Sequence, residues 1–286
     1  MSSGNSTGQM RIVLTLLVRD EADIITDHLD YHLAQGVDRV IVTDNGSTDG
    51  TCEVLEEFVR RGAVTLFHEP PSDFSQHRWV TRMARLAYTA YGADWVINAD
   101  ADEFFVSRRA SLREELSACA DSADVLLATR TDFVAFDRAF RETPPLEMIY
   151  RKRVSLNLAG QPLSPKALHR GAPDVLVAQG NHEAQSARFR PARAMTAIEV
   201  FHYPIRSRGQ FERKVRNGGT GYARNTELHK DMGFHKRYWY DLLKRGELGR
   251  EFERHSYDGE RLSAALASGQ LLEDRTLMHW FSERRP

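Results

Sequence analysis

Segments of strand length alternate with segments of helical periodicity through the first half of the chain, and this alternation limits the folds that it can adopt. Runs of β-branched residues and leucine predict strands at 11–18, 39–43, 64–67, 95–99 and 125–129. Apolar residues at helical spacing predict helices at 22–35, 52–61, 75–91 and 112–120. Strands separated by helices are typical of βαβ units. We therefore expect an α/β fold with a mainly parallel, Rossmann-like sheet flanked by helices.

The second half of the chain gives weaker signals. Residues 133–180 mix Pro, Gly and Arg with short apolar runs, which predicts antiparallel edge strands and loops. Further helices are predicted at 210–215, at 238–248 and, as a short terminal helix, at 262–267. Because no repeat or clean linker divides the chain, we expect a disordered leader at 1–9 and a single domain at 10–286. Its expected parts are 10–132, 133–220 and a C-terminal helical extension at 221–286.

Composition excludes several classes of protein. The chain has 286 residues and a net charge of -1, so no global field favours nucleic acid or a membrane surface. Its two cysteines are too few for a disulfide framework, which favours a cytoplasmic location. No apolar run reaches the roughly 18 to 20 residues of a membrane span. The expected protein is therefore globular, with no intrinsic membrane span and no nucleic-acid partner.

Three acids, Asp100, Asp102 and Glu103, follow the predicted strand at 95–99. In open α/β sheets the carboxyl ends of the strands are where ligands bind. Strand residues two apart lie on the same side, roughly 6.5 to 7 Å apart, so Asp100 and Asp102 can share one hard cation and its phosphate ligands. The alternative is a solvated acidic turn. The apolar run before the acids and the Phe pair after them favour a partly buried metal or nucleotide site.

A second polar segment, 43–51, follows the predicted second strand and opens a helix. Asp44 can accept a hydrogen bond from a nucleobase or a sugar hydroxyl there, while Asn45 and Gly46 allow a tight turn. Helix capping by Ser47, Thr48 or Asp49 is an equally good explanation of this segment alone. Together with the end of the first strand at 17–21, however, it indicates two adjacent strand ends that offer polar groups to one ligand.

These segments resemble a known family. Residues 18–21, 44–49 and 100–104 are similar, in order and spacing, to the three signature segments of family 2-like glycosyltransferases with the glycosyltransferase A fold. Segments 165–166, 180–183 and 202–211 are similar, more loosely, to the branch that includes family 92 proteins.

The resemblance implies a nucleotide-sugar donor, usually a UDP-sugar, bound by part 10–132, with the acceptor half and a lid in 133–220. The first two segments would hold the nucleoside, through Val18, Arg19, Glu21, Asp44 and Asn45. The Asp-x-Asp pair would hold Mn²⁺ or Mg²⁺ on the diphosphate, with Asp102 as the main ligand and Asp100 at the ribose or a metal-bound water. Carboxylate oxygens suit either ion.

Displacing a nucleoside diphosphate from an anomeric carbon also needs a base that takes the proton of the acceptor. Segment 180–183 is the best candidate, because Gly180 and Asn181 predict a turn that presents His182 and Glu183. We expect Glu183 to be the base of an inverting reaction, with Asp132 as the second choice. His182 is a candidate metal or phosphate contact. The alternative is a surface loop with a capping His-Glu pair.

The segment 188–216 holds eight Arg or Lys residues against two Glu. Such a stretch is usually a solvated face, but beside an acidic metal site it can equally receive a diphosphate. His202, Arg206 and Lys214 are the candidate lid residues, and Arg206 is the strongest because a planar guanidinium suits phosphate.

Two other functions stay open from the sequence. A sugar-phosphate nucleotidyltransferase would use a related sheet, but it normally has a Gly-rich loop after the first strand, and 19–22 contains no glycine. A non-catalytic nucleotide- or carbohydrate-binding module is the other alternative. The acceptor is undetermined and could be a carbohydrate, a glycoconjugate or a small molecule.

Overall fold

The computed structural model describes residues 9–70, 76–119, 121–136, 138, 140–224 and 234–284. The expected leader at 1–9 lies outside these ranges except for Gln9. Within them the predicted α/β fold with flanking helices is confirmed. One eight-stranded sheet has the strand order β3-β2-β1-β4-β8-β6-β11-β5.

The first half of the sheet is parallel throughout. It consists of β1 (Ile12–Val18), β2 (Arg39–Asp44), β3 (Val64–His68) and β4 (Trp95–Asp100). In the register of this half, Val18 lies beside Asp44, and Leu17 lies beside Asp100. The carboxyl ends of β1, β2 and β4 therefore meet at one edge of the sheet.

The second half of the sheet mixes parallel and antiparallel pairs. It contains β5 (Glu103–Ser107), β6 (Val125–Asp132), β8 (Lys166–Arg170) and β11 (Arg193–His202). Strand β8 runs antiparallel to both β4 and β6, and β11 runs parallel to β6 and antiparallel to β5. Segment 133–180 was expected to supply edge strands, but β8 lies inside the sheet and joins its two halves. Strands β5 and β11 were not predicted.

Short strands form two smaller sheets outside the main one. Strand β7 (Tyr150–Lys152) pairs with β12 (Leu271–Glu273), and β9 (Leu176–Val177) pairs with β10 (Ala184–Gln185). Both pairs are antiparallel, which agrees with the antiparallel strands expected in 133–180, where β7 and β9 lie.

Helices flank the sheet and form the C-terminal extension. The helices before residue 150 are α1 (Ile25–Ala34), α2 (Thr51–Arg60), α3 (Gln76–Thr89), α4 (Leu112–Ala118) and α5 (Pro144–Glu147). The later ones are α6 (Arg208–Arg224), α7 (Phe234–Lys244), α8 (Leu248–His255), α9 (Gly259–Ala267) and α10 (Thr276–Ser282). The expected terminal helix at 262–267 is therefore followed by a further strand and helix.

Alternating residues of β1 explain how helices cover both faces of the sheet. On one face, Ile12, Leu14 and Leu16 belong to the same core cluster as Leu29 of α1 and Leu55 of α2. Val13 packs on the opposite face with Met83 of α3. A strand that is buried on both sides reads as a continuous apolar run, as 12–18 does.

Among the described residues, no helix combines the length and the apolar character that crossing a membrane requires.

Candidate active site

The loops after β1 and β2 are joined at the carboxyl edge of the sheet. The backbone N–H of Asn45 donates to the carbonyl of Val18 at 2.9 Å. Asp20 has a left-handed backbone with φ of 55°, and its carboxylate accepts from the backbone N–H of Thr48 at 2.7 Å. The N–H of Glu21 donates to the hydroxyl of Thr51 at 2.9 Å. The two strand ends therefore lie together, and the expectation that they offer polar groups to one ligand stays a prediction.

Asp44 is buried at the end of β2. Its Oδ2 accepts from the backbone N–H groups of Gly46 at 3.1 Å and Ser47 at 3.2 Å. These bonds stabilise a tight turn. The alternative considered from the sequence was helix capping by Ser47, Thr48 or Asp49, but the N-cap of α2 is Gly50, which has no side-chain cap. Burial and a hydrogen bond to Asp44 raise the pKa of the Cys52 thiol to about 12.

The other expected nucleoside contacts lie around this turn. Val18 is buried in the core, and Arg19 is half-buried beside it. Asn45 is buried, and its side-chain amide donates to the carbonyl of Pro70 at 3.0 Å. Two sets of hydrogen bonds therefore hold this turn in place: those that the Asp44 carboxylate accepts and the one that the Asn45 side chain donates.

The Asp-x-Asp pair spans the end of β4 and the turn that follows. Asp100 is the last residue of β4, whereas Asp102 lies in a turn before β5, so the two do not share one strand as expected. Asp100 accepts from the Gln76 amide at 3.1 Å and from the Lys166 ammonium at 3.0 Å. Its side chain is 33% exposed, which leaves it open to a ligand.

Asp102 is the centre of a cluster of cations. The Lys214 ammonium donates to its Oδ2, His202 Nε2 lies 3.6 Å from the same oxygen, and Arg206 Nη1 lies 3.9 Å from it. Burial alone would raise the pKa of Asp102, but Lys214 and His202 outweigh it and hold this pKa well below its usual range. Asp102 is therefore an anion at neutral pH although it is buried.

The positive charge of Lys166 balances the negative charges of Asp100 and Glu103. Its side chain is 1% exposed, and its ammonium lies 3.0 Å from Asp100 and 2.8 Å from Glu103. Burial favours the neutral amine, yet the two carboxylates outweigh it and raise the pKa of Lys166. No local sequence signal pointed to this role of Lys166, although the residue lies in segment 165–166 of the family resemblance.

Arg206 is fully buried, so it does not lie on the solvated basic face that the composition of 188–216 favours. Its guanidinium pairs with Glu21, with Asp23 at 2.8 Å and with the carbonyl of Tyr203 at 3.2 Å. Through these ion pairs, Arg206 holds the loop after β1 in place. Burial of Glu21 outweighs this pairing and raises the pKa of Glu21 to about 7.

The two candidate bases lie in different surroundings. Asp132 is buried at the end of β6, where its Oδ1 lies 2.7 Å from His202 Nδ1 and its Oδ2 lies 3.5 Å from Lys152. Through His202 it is connected to Asp102. Glu183 has a 48% exposed side chain that pairs with Arg193 at 3.0 Å. The contacts therefore bring Asp132 to the acidic motif, whereas Glu183 forms an ion pair with Arg193.

His182 lies on a strained turn beside Lys166. Gly180 and Asn181 precede it with φ of 80° and 62°. His182 Nδ1 donates to the carbonyl of Pro165 at 2.9 Å, so Nε2 carries the lone pair. Burial and the Lys166 charge lower the pKa of His182 to about 4. The neutral imidazole is the form that ligates metals.

Comparisons with solved structures give low overall similarity. A crystal structure of S. aureus TarS 1-349 is 16% identical over 85% of this chain and 72% of that one, with a TM-score of 0.42. The same fragment in complex with UDP-GlcNAc is 16% identical over 85% and 73%, with a TM-score of 0.39. HddC from Yersinia pseudotuberculosis is 12% identical over 57% and 71%, with a TM-score of 0.30. No curated protein matches this sequence.

A family profile gives the decisive comparison. The profile described as "Glycosyltransferase family 92" matches residues 15–170, which are 156 of the 286 residues and so more than half of the chain. The matched region contains the second half of β1, all of β2 and β4, and the polar segments that follow these strands. The family resemblance stated from the motifs is confirmed, and this chain belongs to glycosyltransferase family 92, a family of glycosyltransferases.

Proposed function

We propose that this enzyme transfers a sugar from a nucleotide-sugar, most simply a UDP-sugar, to a hydroxyl group of an acceptor of undetermined class, with inversion at the anomeric carbon. The observation that carries the proposal is the meeting of three strand ends. Asp44 ends β2, Asp100 ends β4 and Asp102 lies in the turn after β4, at the edge where Val18 ends β1. An edge of this kind is where α/β sheets bind nucleotides.

We propose Asp100 and Asp102 as the ligands of Mn²⁺ or Mg²⁺, with His182 as a third ligand. The two carboxyl groups support the proposal, because neighbouring cations hold their pKa values low, and two anionic carboxylates suit a hard cation. The ammonium groups of Lys166 and Lys214 now balance these charges. When bound, the metal neutralises charge on the leaving diphosphate.

The same cations support a role in diphosphate binding. Lys214 has a 35% exposed side chain, so its ammonium can turn from Asp102 toward an incoming phosphate. His202 lies beside it with a raised pKa and can donate a charged hydrogen bond. Arg206 is more deeply placed, and we assign it to positioning Glu21 and Asp23 instead of contacting phosphate.

For the general base, the contacts favour Asp132 over Glu183. Asp132 is buried beside the cluster. Burial alone would raise its pKa, but His202 outweighs this and lowers it, so Asp132 is ionised at neutral pH, as a general base must be before it takes a proton. Its contact with His202, which also lies near Asp102, supports a position close to the expected donor. Glu183 pairs with Arg193 in a more exposed position.

A donor screen tests the proposal. Purified protein is incubated with UDP-, GDP-, ADP- and CMP-linked sugars and Mn²⁺, and release of the nucleotide is measured with and without acceptor mixtures. We expect release from one nucleotide class, with UDP-sugars as the leading class. Absence of release from every donor, in a protein that is folded and has metal present, would contradict the proposal.

A further inference from the structure

A group of three chemically different metal ligands lies beside the expected nucleoside site. It consists of Asp44 at the end of β2, Cys52 in the first turn of α2 and His68 at the end of β3. One ligand atom from each lies within 4.8 Å of the other two. Small movements of side chains are enough to bring all three onto one ion, because zinc-ligand distances are about 2.0 to 2.3 Å.

The surroundings of the group suit a metal site that is open on one side. Asp44 is buried, and the N–H groups of Gly46 and Ser47 fix its carboxylate. Hydrogen bonds of this kind orient the ligands of metal sites. His68 has a 60% exposed side chain with Nδ1 3.9 Å from Asp44 Oδ2, so its ring can turn toward the carboxylate. The exposed side leaves room for a water molecule as a fourth ligand.

The donor types select the ion. A thiolate and an imidazole favour zinc over Mg²⁺ and Mn²⁺, which prefer oxygen ligands such as Asp100 and Asp102. We propose that Asp44, Cys52 and His68 bind a zinc ion, with the fourth position open to solvent. The Cys52 thiol loses its proton, the Cys52 sulfur forms a bond to zinc, and the proton passes to solvent.

A zinc ion bound to this group would also affect enzyme activity, because the group includes an expected nucleotide contact. Asp44 is the expected contact of the nucleoside, so a zinc ion on its carboxylate competes with the nucleotide. This second step rests on the proposed function, whereas zinc binding itself does not. We infer that zinc inhibits the enzyme by occupying Asp44.

Cobalt titration tests the site, because a Cys-ligated Co²⁺ ion gives a thiolate-to-metal charge-transfer absorption. We expect this absorption to saturate at one Co²⁺ per chain and to disappear when Zn²⁺ is added. Cys52→Ala should abolish the absorption, and His68→Ala should weaken Co²⁺ binding. The chain has just one other cysteine, so Cys119→Ala is a matched control that should keep the absorption.

The outcomes separate the two steps. The site is overturned if wild type gives no thiolate-to-cobalt absorption, or if Cys52→Ala keeps it, provided that thermal unfolding shows both proteins folded. Competition is measured by titrating UDP with zinc present at about ten times its own Kd, where the apparent Kd for UDP should rise about tenfold. An unchanged Kd for UDP overturns inhibition and leaves the zinc site. Failure of UDP to bind without zinc counts against the proposed function instead.

Discussion

His202 and Asp132 form a hydrogen bond that joins the carboxyl ends of the neighbouring parallel strands β11 and β6. Nδ1 of His202 lies 2.7 Å from Oδ1 of Asp132, and the two residues are partners in the register of β11 and β6. The opposite nitrogen of the same ring lies 3.6 Å from Asp102. One imidazole therefore connects the candidate base with the acidic motif.

This arrangement predicts a pH dependence of stability. Burial disfavours the imidazolium, but the carboxylates of Asp102 and Asp132 outweigh it and raise the pKa of His202. The stabilisation is therefore complete below the unfolded pKa of about 6.5 and is lost as pH rises through the folded pKa. His202→Gln should remove the contribution of His202 and leave that of Glu21, whose raised pKa of about 7 acts in the same direction, as measured by urea unfolding between about pH 5 and 9. The exposed His279 provides a control, His279→Gln, that should keep the wild-type profile.

The assignment of the base predicts that Asp132→Asn lowers kcat by roughly 10² to 10⁴. The variant keeps the shape and the hydrogen bond to His202 but removes the proton acceptor, so the affinity for UDP should change little. Glu183→Gln is the matched comparison and should keep most of the activity. Steady-state kinetics give the rates and calorimetry gives the affinity. The reverse pattern, with loss of rate in Glu183→Gln alone, would make Glu183 the base.

The buried position of Arg206 predicts a structural role. Arg206→Ala leaves Glu21 and Asp23 without their partner and should lower the free energy of unfolding by about 3 to 5 kcal/mol. Arg208 lies two residues away with a 50% exposed side chain paired to Glu253. Arg208→Ala should cost less than about 1 kcal/mol, because exposed pairs are screened by solvent. Equal stability of both variants in denaturant unfolding would refute this role.

The proposed metal site predicts that Asp102→Asn lowers turnover by about a thousandfold, equivalent to roughly 4 kcal/mol of lost charge stabilisation. Excess EDTA should abolish the activity of wild type, and Mn²⁺ or Mg²⁺ should restore it. Glu260→Gln on the exposed face of α9 is the control and should be fully active. Full activity of wild type in EDTA would exclude a metal requirement.

The first half of the fold was predictable because its signals are local. The strands and helices up to residue 100 follow from apolar periodicity within short windows, and the polar residues after β1, β2 and β4 mark their carboxyl ends. The family motifs fall in the same region. Parallel βαβ units place such ends together, so the positions of Asp44 and Asp100 could be inferred before the structure.

The second half depends on contacts between distant residues. Strand β8 lies between β4 and β6 because it pairs with both, and no local pattern in a Pro- and Arg-rich segment reveals such partners. The burial of Arg206 has the same cause, since Glu21 lies 185 residues away. Buried charges are rare unless they are paired. A basic segment is therefore read from sequence as exposed, until its acidic partners are located.

Calorimetric titration of UDP into wild-type protein with Mn²⁺ tests most directly whether this edge of the sheet is a nucleotide-sugar site. We expect one UDP per chain and much weaker binding to Asp102→Asn, because we propose that the metal and the diphosphate meet at this carboxylate. Addition of EDTA should weaken binding to wild type in the same way. If neither UDP nor any other nucleoside diphosphate binds to folded wild-type protein with Mn²⁺ or Mg²⁺ present, the proposed donor site is wrong.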